Sequence, residues 1–207
     1  MEIKSFRERD FAYLIIDDLY TSEELKKIWR ELEYLTSPNR LWNQSTIGGA
    51  TDKEGTLLKK NNGMLLDDFF TYNRDFSDIL TLNRKLFTPP VLDAFFDTHP
   101  YSRLFAYVNN DRTLLSYYEN EDYYKPHHDD ALFTAVTWLY KEPKRFTGGN
   151  FRFHDGDIDI ELKSNRLVLF PSWVLHEVEM IKLDDEIETD GFSTYGRYCL
   201  SQFIHKR

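Results

Sequence analysis

Cysteine is nearly missing from this chain: Cys199 stands alone among 207 residues. A lone thiol excludes an intramolecular disulfide framework and fits a reducing compartment. Long apolar runs are missing as well. None approaches the ~20 residues that a membrane helix requires, and Met1 to Asp10 carry six charges with no apolar signal core. Positive charge is in deficit, 26 Lys and Arg against 35 Asp and Glu, for a formal net charge of −9. That balance argues against nucleic-acid backbones and anionic membranes as partners. There is no serine or cysteine triad signature. These absences describe a soluble, cytoplasmic protein that uses neither nucleic acid nor membrane.

Aromatic residues are abundant, at 16% of the chain, and supply large surfaces for burial. A chain of this length is most economically one domain, 1–207, with a sizeable core. Phe11 to Ile16 reads as a strand. Thr21 and Glu24 form a capping box for a helix whose Leu25, Ile28, Leu32 and Leu35 share one face, and Ser37-Pro38-Asn39 stops it. Asn43 to Gly63 is polar and rich in Gly, Asn and Lys, which suits a solvated loop with a hairpin or a lid over a site. Helical pieces are expected at Asp75 to Phe87 and Val91 to Phe96. Residues 1–100 thus form helical support and a variable loop.

From 101 onward the texture is that of short strands. They are expected at Leu104 to Val108, Thr113 to Tyr118, Phe133 to Tyr140, Asn150 to His154, Ile158 to Leu162, Arg166 to Phe170, Val174 to Ile181 and Tyr195 to Ile204. Turn signals at Asn109-Asn110-Asp111, Gly148-Gly149, Asp155-Gly156-Asp157 and Ser164-Asn165 separate them. The fold class is mainly β with N-terminal helices (α+β), a jelly-roll or cupin-like double sheet with helices packed outside.

The chemistry concentrates in Tyr123-Tyr-Lys-Pro-His-His-Asp-Asp130 and Phe170-Pro-Ser-Trp-Val-Leu-His176. Strand alternation puts His127 and Asp129 on one face and His128 and Asp130 on the other, so either pair could chelate. His176 follows Asp129 by forty-seven residues, enough for the chain to leave a sheet and return beside it. Two imidazoles and one carboxylate leave positions open on a metal, as non-haem Fe(II) requires. Of the other histidines, His99 and His205 read as surface residues and His154 as a hairpin position.

Four segments resemble, in order, those of the prolyl 4-hydroxylase-like Fe(II)/2-oxoglutarate dioxygenases. Tyr118 to Asp129 is similar to the segment bearing the first two iron ligands, and Gly148-Gly-Asn-Phe-Arg-Phe153 to the glycine-pair strand. Arg166 to His176 resembles the last-ligand strand, and Gly196 to Phe203 the strand with a basic residue. The strand and helix from Tyr13 to Leu35 are similar to the entry segment. The resemblance implies a double-stranded β-helix core over 101–207, with His127, Asp129 and His176 as iron ligands. It implies Arg197 and Tyr118 as anchors for 2-oxoglutarate, and no catalytic side chain beyond the ligands. Fe(II), 2-oxoglutarate and O2 would be required, with ascorbate as a reductant. The implied reaction hydroxylates an unactivated C–H bond, releasing succinate and CO2, on a prolyl residue of a peptide or protein. A free amino acid or small metabolite is the alternative substrate. A zinc hydrolase and a non-catalytic binding module are the rival readings of the same triad.

The chain departs from the pattern at several places. Glu121 stands where glycine is common, which implies another turn geometry. Arg197 lies twenty-one residues after His176, with the acidic stretch Leu183 to Gly191 as an exposed insertion. Trp138 stands near a usual tyrosine position. Cys199 shares a face with Arg197, either lining that pocket or packing as a small apolar residue. Phe203 replaces the second arginine of nucleic-acid dealkylases, which argues against that activity.

Overall fold

The computed structural model describes residues 1–37, 40–43, 51, 53–187 and 193–207. Strands β1 (Glu2–Arg7) and β2 (Ala12–Asp17) precede helix α1 (Ser22–Leu35). The capping box forms as expected: the Glu24 N–H donates to Thr21 Oγ1 at 3.3 Å and the Thr21 N–H to Glu24 Oε2 at 2.7 Å. Ile28, Leu32 and Leu35 are the buried face. Short strands β3 (Trp42–Asn43), β4 (Lys59–Lys60) and β5 (Asn62–Leu65) lead to helices α2 (Leu66–Phe69), α3 (Asp78–Leu82) and α4 (Pro89–Phe96).

The second half is strands β6 (Asn110–Tyr118), β7 (Tyr123–His127), β8 (Phe133–Leu139), β9 (Phe146–Gly148) and β10 (Phe151–Phe153). They continue with β11 (Ile158–Ile160), β12 (Arg166–Pro171), β13 (His176–Val178), β14 (Ile181–Leu183) and β15 (Arg197–His205). An eight-stranded sheet runs β1-β2-β12-β8-β15-β6-β5-β3, a five-stranded sheet β11-β10-β13-β7-β4, and β14 pairs with β9. The fold is mainly β, a double-stranded β-helix with helices outside.

Alternation along the large sheet explains both cores. Leu167 and Leu169, Phe133 and Ala135, and Tyr198 and Leu200 meet the helices, together with Ile28, Leu32, Leu80 and Phe95. Val168 and Phe170, Val136 and Trp138, and Cys199 meet the small sheet, against Phe151 and Phe153. Each such side chain contributes about 1.5–3 kcal/mol when fully buried, so the register of these strands is fixed from both faces.

Three expectations need correction. Leu104 to Val108 is not a strand: Pro100–Tyr107 is a 3-10 helix, capped where His99 Nδ1 accepts the Tyr101 N–H at 3.2 Å, with Ser102 and Phe105 buried three residues apart. Val174 to Ile181 is not one strand but two, β13 and β14, lying in different sheets. The helical pieces expected over Asp75 to Phe87 are there, as a 3-10 turn, α3 and a second 3-10 turn. The end of the polar stretch before Gly63 is not loop but β4 and the start of β5. Of that stretch, 44–50 and 52 lie outside the described residues, as do 188–192 at the end of the acidic insertion. Strand β1 has no counterpart in the sequence reading; it is an edge strand whose side chains are mostly exposed.

Candidate metal centre and the cavity behind it

Strands β7 and β13 pair so that His127 lies opposite His176, with ring centroids 4.2 Å apart. Strand pairing ends at His127, and Asp129 is held by other means. Its N–H donates to the Ser172 carbonyl at 3.0 Å, and its Oδ2 accepts the Thr134 hydroxyl at 2.7 Å. The carboxylate then sits 3.6 Å from His127 Nε2 and 3.4 Å from His176 Nε2. One donor atom from each of the three residues lies within 4.8 Å of the others. His128 and Asp130 are exposed, and His128 Nδ1 is 2.7 Å from the Trp173 carbonyl. The alternative pair is therefore not at this centre.

The tautomers follow from geometry. Nδ1 of His127 is 2.8 Å from the Lys125 carbonyl, and Nδ1 of His176 is 2.8 Å from the Val174 carbonyl. A carbonyl only accepts, so each Nδ1 carries the hydrogen and each Nε2 presents a lone pair beside Asp129. Burial, reinforced by His176, brings the His127 imidazole down to about 3, so it is neutral as a ligand must be. Burial alone would favour the protonated Asp129. The two neighbouring imidazoles, His176 before His127, and the Thr134 hydroxyl outweigh it and hold the carboxyl below its usual range. Two neutral nitrogens and one carboxylate oxygen are the donor set of non-haem Fe(II) with open positions. Tyr124 stacks on His127 with centroids 3.4 Å apart, and Phe170 sits edge-on to His176 at 4.8 Å.

A second group of side chains comes from the large sheet. Arg197 opposes Tyr118 in the β15–β6 ladder. Its guanidinium carbon lies 4.9 Å from the Tyr118 ring centre and 5.5 Å from that of Trp138. Arg197 is 0% exposed, yet none of its three nitrogens has a hydrogen-bond partner among the described residues, nor does Trp138 Nε1. Burial raises the Tyr118 phenol, which the Arg197 charge only partly opposes, so its hydroxyl keeps its proton. Arg197, Tyr118, Trp138 and Cys199 line the same cavity as the triad, a space of about 70 Å³. A buried cation without a partner is costly. The complement of a planar guanidinium is a carboxylate, so the chain's own polar atoms fit a group that offers a carboxylate here and chelates a metal at the triad.

Two glycines make room for this arginine. Gly149 has φ +77°, and a Cβ there would stand 2.7 Å from Ile181 Cγ2 and 3.3 Å from Arg197 Cδ. A Cβ on Gly196 would overlap the Tyr118 carbonyl oxygen. The insertion before Arg197 is tied down by buried Glu119, which accepts the Ser193 N–H at 2.8 Å and its hydroxyl at 2.7 Å. Glu121 corrects another expectation: it keeps the left-handed geometry of a glycine, φ +62°, at about 1–2 kcal/mol.

Sequence reasoning missed two cavity residues, Lys59 and Asn61, both buried. They lie in a stretch read as solvated; strand alternation across Lys59-Lys60-Asn61, inward, outward, inward, is the signal that would have found them.

Comparison with known proteins agrees with this chemistry. Residues 113–205 match the model of the 2OG-Fe(II) oxygenase superfamily. A PKHD-type hydroxylase of Crocosphaera subtropica (strain ATCC 51142 / BH68) is 26% identical over 192 residues, covering 86% of this chain and 77% of that protein. Among solved structures, a Pseudomonas putida prolyl-4-hydroxylase superposes with TM-score 0.56 at 18% identity, covering 94% of this chain and 92% of that one. A Burkholderia pseudomallei oxidoreductase of the 2OG-Fe(II) oxygenase family gives TM-score 0.56 at 15% identity, covering 94% and 85%. Both share the fold. Residues 113–205 thus match a 2OG-Fe(II) oxygenase domain, and the triad and its cavity agree with that oxidoreductase chemistry, whose cofactors are Fe(II) and 2-oxoglutarate.

Proposed function

We propose that this chain hydroxylates an unactivated C–H bond of a prolyl residue in a peptide or protein, with His127, Asp129 and His176 holding Fe(II) and Arg197 and Tyr118 holding 2-oxoglutarate. The observation that carries the reading is the fully buried Arg197 guanidinium, without a hydrogen-bond partner among the described residues, in the cavity of the triad. When bound, Fe(II) and 2-oxoglutarate together reduce O2, release succinate and CO2, and supply the oxidant for the C–H bond.

The chain's own part is positional. His127 and His176 offer Nε2 lone pairs because their Nδ1 hydrogens are committed to backbone carbonyls. Thr134 occupies one lone pair of Asp129 and so orients the carboxylate. Arg197 fixes the distal carboxylate of the co-substrate, and the Tyr118 hydroxyl and Trp138 Nε1–H are further donors beside it. Phe151, Tyr124 and Val178 line the same cavity and keep bulk water from it. Hydrogen abstraction needs no general base, so the reading requires no other titrating side chain.

The test is anaerobic titration of the metal-free protein with Fe(II) and 2-oxoglutarate, following the visible metal-to-ligand charge-transfer band. The band is expected in the wild type, absent in His127→Ala and weakened in Arg197→Ala. A folded, iron-loaded protein without the band would overturn the reading.

A further inference from the structure

Lys59 is the second buried cation of the cavity and no step above uses it. It is 4% exposed, opposes Tyr124 in the β4–β7 ladder, and holds its Nζ 5.5 Å from the centre of the ring that stacks on His127. The adjacent Lys60 points outward, donating to the Asn120 carbonyl at 3.3 Å and lying 3.4 Å from Asp122. The Lys59 ammonium, with no hydrogen bond or ion pair to a described residue, faces the Tyr124 ring and the charge of Asp129. Asn61, on the same face, also lines the cavity, with an Oδ1 that has no partner among the described residues.

Charge accounting makes Lys59 surplus. A divalent metal and Arg197 are balanced by Asp129 and the two carboxylates of 2-oxoglutarate, which leaves one buried ammonium uncompensated. Burial lowers the Lys59 pKa and the Asp129 charge only partly restores it, so the site disfavours this cation until an anion joins it. Both carboxylates of the co-substrate are already placed, so the anion belongs to the other reactant.

We propose that Lys59 binds a carboxylate of the primary substrate from the five-stranded sheet, facing the sheet that holds the co-substrate, while Asn61 Oδ1 accepts an N–H of the same molecule. The substrate is then an acid that carries an N–H, the chemistry of an amino acid or of an acidic peptide. This rests on the oxygenase reading above and narrows its substrate.

Acetate is the probe, because a small carboxylate needs only the anion site. It is titrated into the anaerobic Fe(II) and 2-oxoglutarate complex of the wild type, Lys59→Met and Lys59→Arg, and the charge-transfer band is followed. The expected result is a saturable shift in the wild type, weakened at least about tenfold in Lys59→Met and largely kept in Lys59→Arg, with 2-oxoglutarate affinity within about twofold in all three. Acetate that binds wild type and Lys59→Met equally, or binds neither, overturns the proposal. Loss of 2-oxoglutarate affinity in Lys59→Met overturns it too, by placing Lys59 at the co-substrate. Absence of the band in the wild type is a different failure, that of the oxygenase reading. L-proline and a blocked Asp-Pro peptide, run on the same proteins, separate a free acid from an acidic side chain: the true source loses affinity in Lys59→Met.

Discussion

The two sheets that enclose the cavity are built differently. The large sheet contributes Arg197, Tyr118 and Trp138 from strands of seven to nine residues, with β15 paired along its length to β6 and β8. The small sheet contributes His127, His176 and Lys59 from strands of two to five residues, and the β13–β7 pairing shifts register between His176 and Val178. Long, doubly paired strands suit Arg197, since a buried arginine with no partner among the described residues depends on the scaffold for its aim. Short strands and a register shift suit the triad, because His127 and His176 stand opposite each other at the end of the β7–β13 pairing and Asp129 lies just beyond it. The Arg197 end of the cavity is thus held by backbone pairing and the His127, Asp129 and His176 end by side-chain hydrogen bonds.

The comparison breaks most completely at the metal end. Asp129→Ala removes the only carboxylate of the triad, and metal-dependent O2 consumption is expected to fall to background, read with an oxygen electrode. Thr134 and Ser172 still bond each other at 2.8 Å, so circular dichroism of the variant should match the wild type. At the other end, Arg197→Met should raise the 2-oxoglutarate Kd by roughly a hundredfold, within the 2–5 kcal/mol lost when one member of a buried charge pair is truncated. The same variant should melt higher than wild type in cofactor-free buffer, because an unpaired buried cation has been exchanged for an apolar side chain. A lower melting temperature would mean that Arg197 is paired within the protein. A smaller effect tests the room behind the arginine. Gly149→Ala puts a Cβ against Ile181 and Arg197 at positive φ and should cost about 1–3 kcal/mol in denaturant unfolding, together with a severalfold weaker 2-oxoglutarate affinity.

The triad and Arg197 were legible in the sequence, one in each sheet, and Lys59 was not. His127, Asp129 and His176 are spaced as strand alternation and a returning strand require, and Arg197 sits in a strand whose apolar pattern is plain. Lys59 was hidden because polarity correlates with exposure, and Lys-Lys-Asn-Asn-Gly looks solvated until β4 is seen to pair with β7. Leu104-Phe-Ala-Tyr-Val108 has the composition of a strand, but Pro100 and the His99 cap start a helical turn first, and local geometry overrides propensity. Val174 to Ile181 reads as continuous because a change of sheet leaves no mark on hydropathy. Glu121 carries no hint of its positive φ, since the constraint comes from its N–H, which donates to the Ile181 carbonyl at 2.9 Å.

That turn, between β6 and β7, joins the two sheets and yields the smallest effect. Asp122 Oδ2 accepts the Glu119 N–H at 2.8 Å and Lys60 lies 3.4 Å away. Burial dominates both and lifts the Asp122 carboxyl from 3.8 to about 6. A raised carboxyl pKa means that the folded state holds its proton when the unfolded chain has released it. The stability it contributes is complete below about pH 4 and is lost as pH rises through about 6. Solvent screening by way of the half-exposed Lys60 leaves an effect of about 1–2 kcal/mol. Asp122→Asn keeps the acceptor for Glu119 and removes the titration. Urea unfolding of both proteins from pH 4 to 7 should show the variant gaining on the wild type with rising pH, and parallel curves would show that Asp122 is solvated and that the joint between the sheets is looser than the burial of its carboxyl implies.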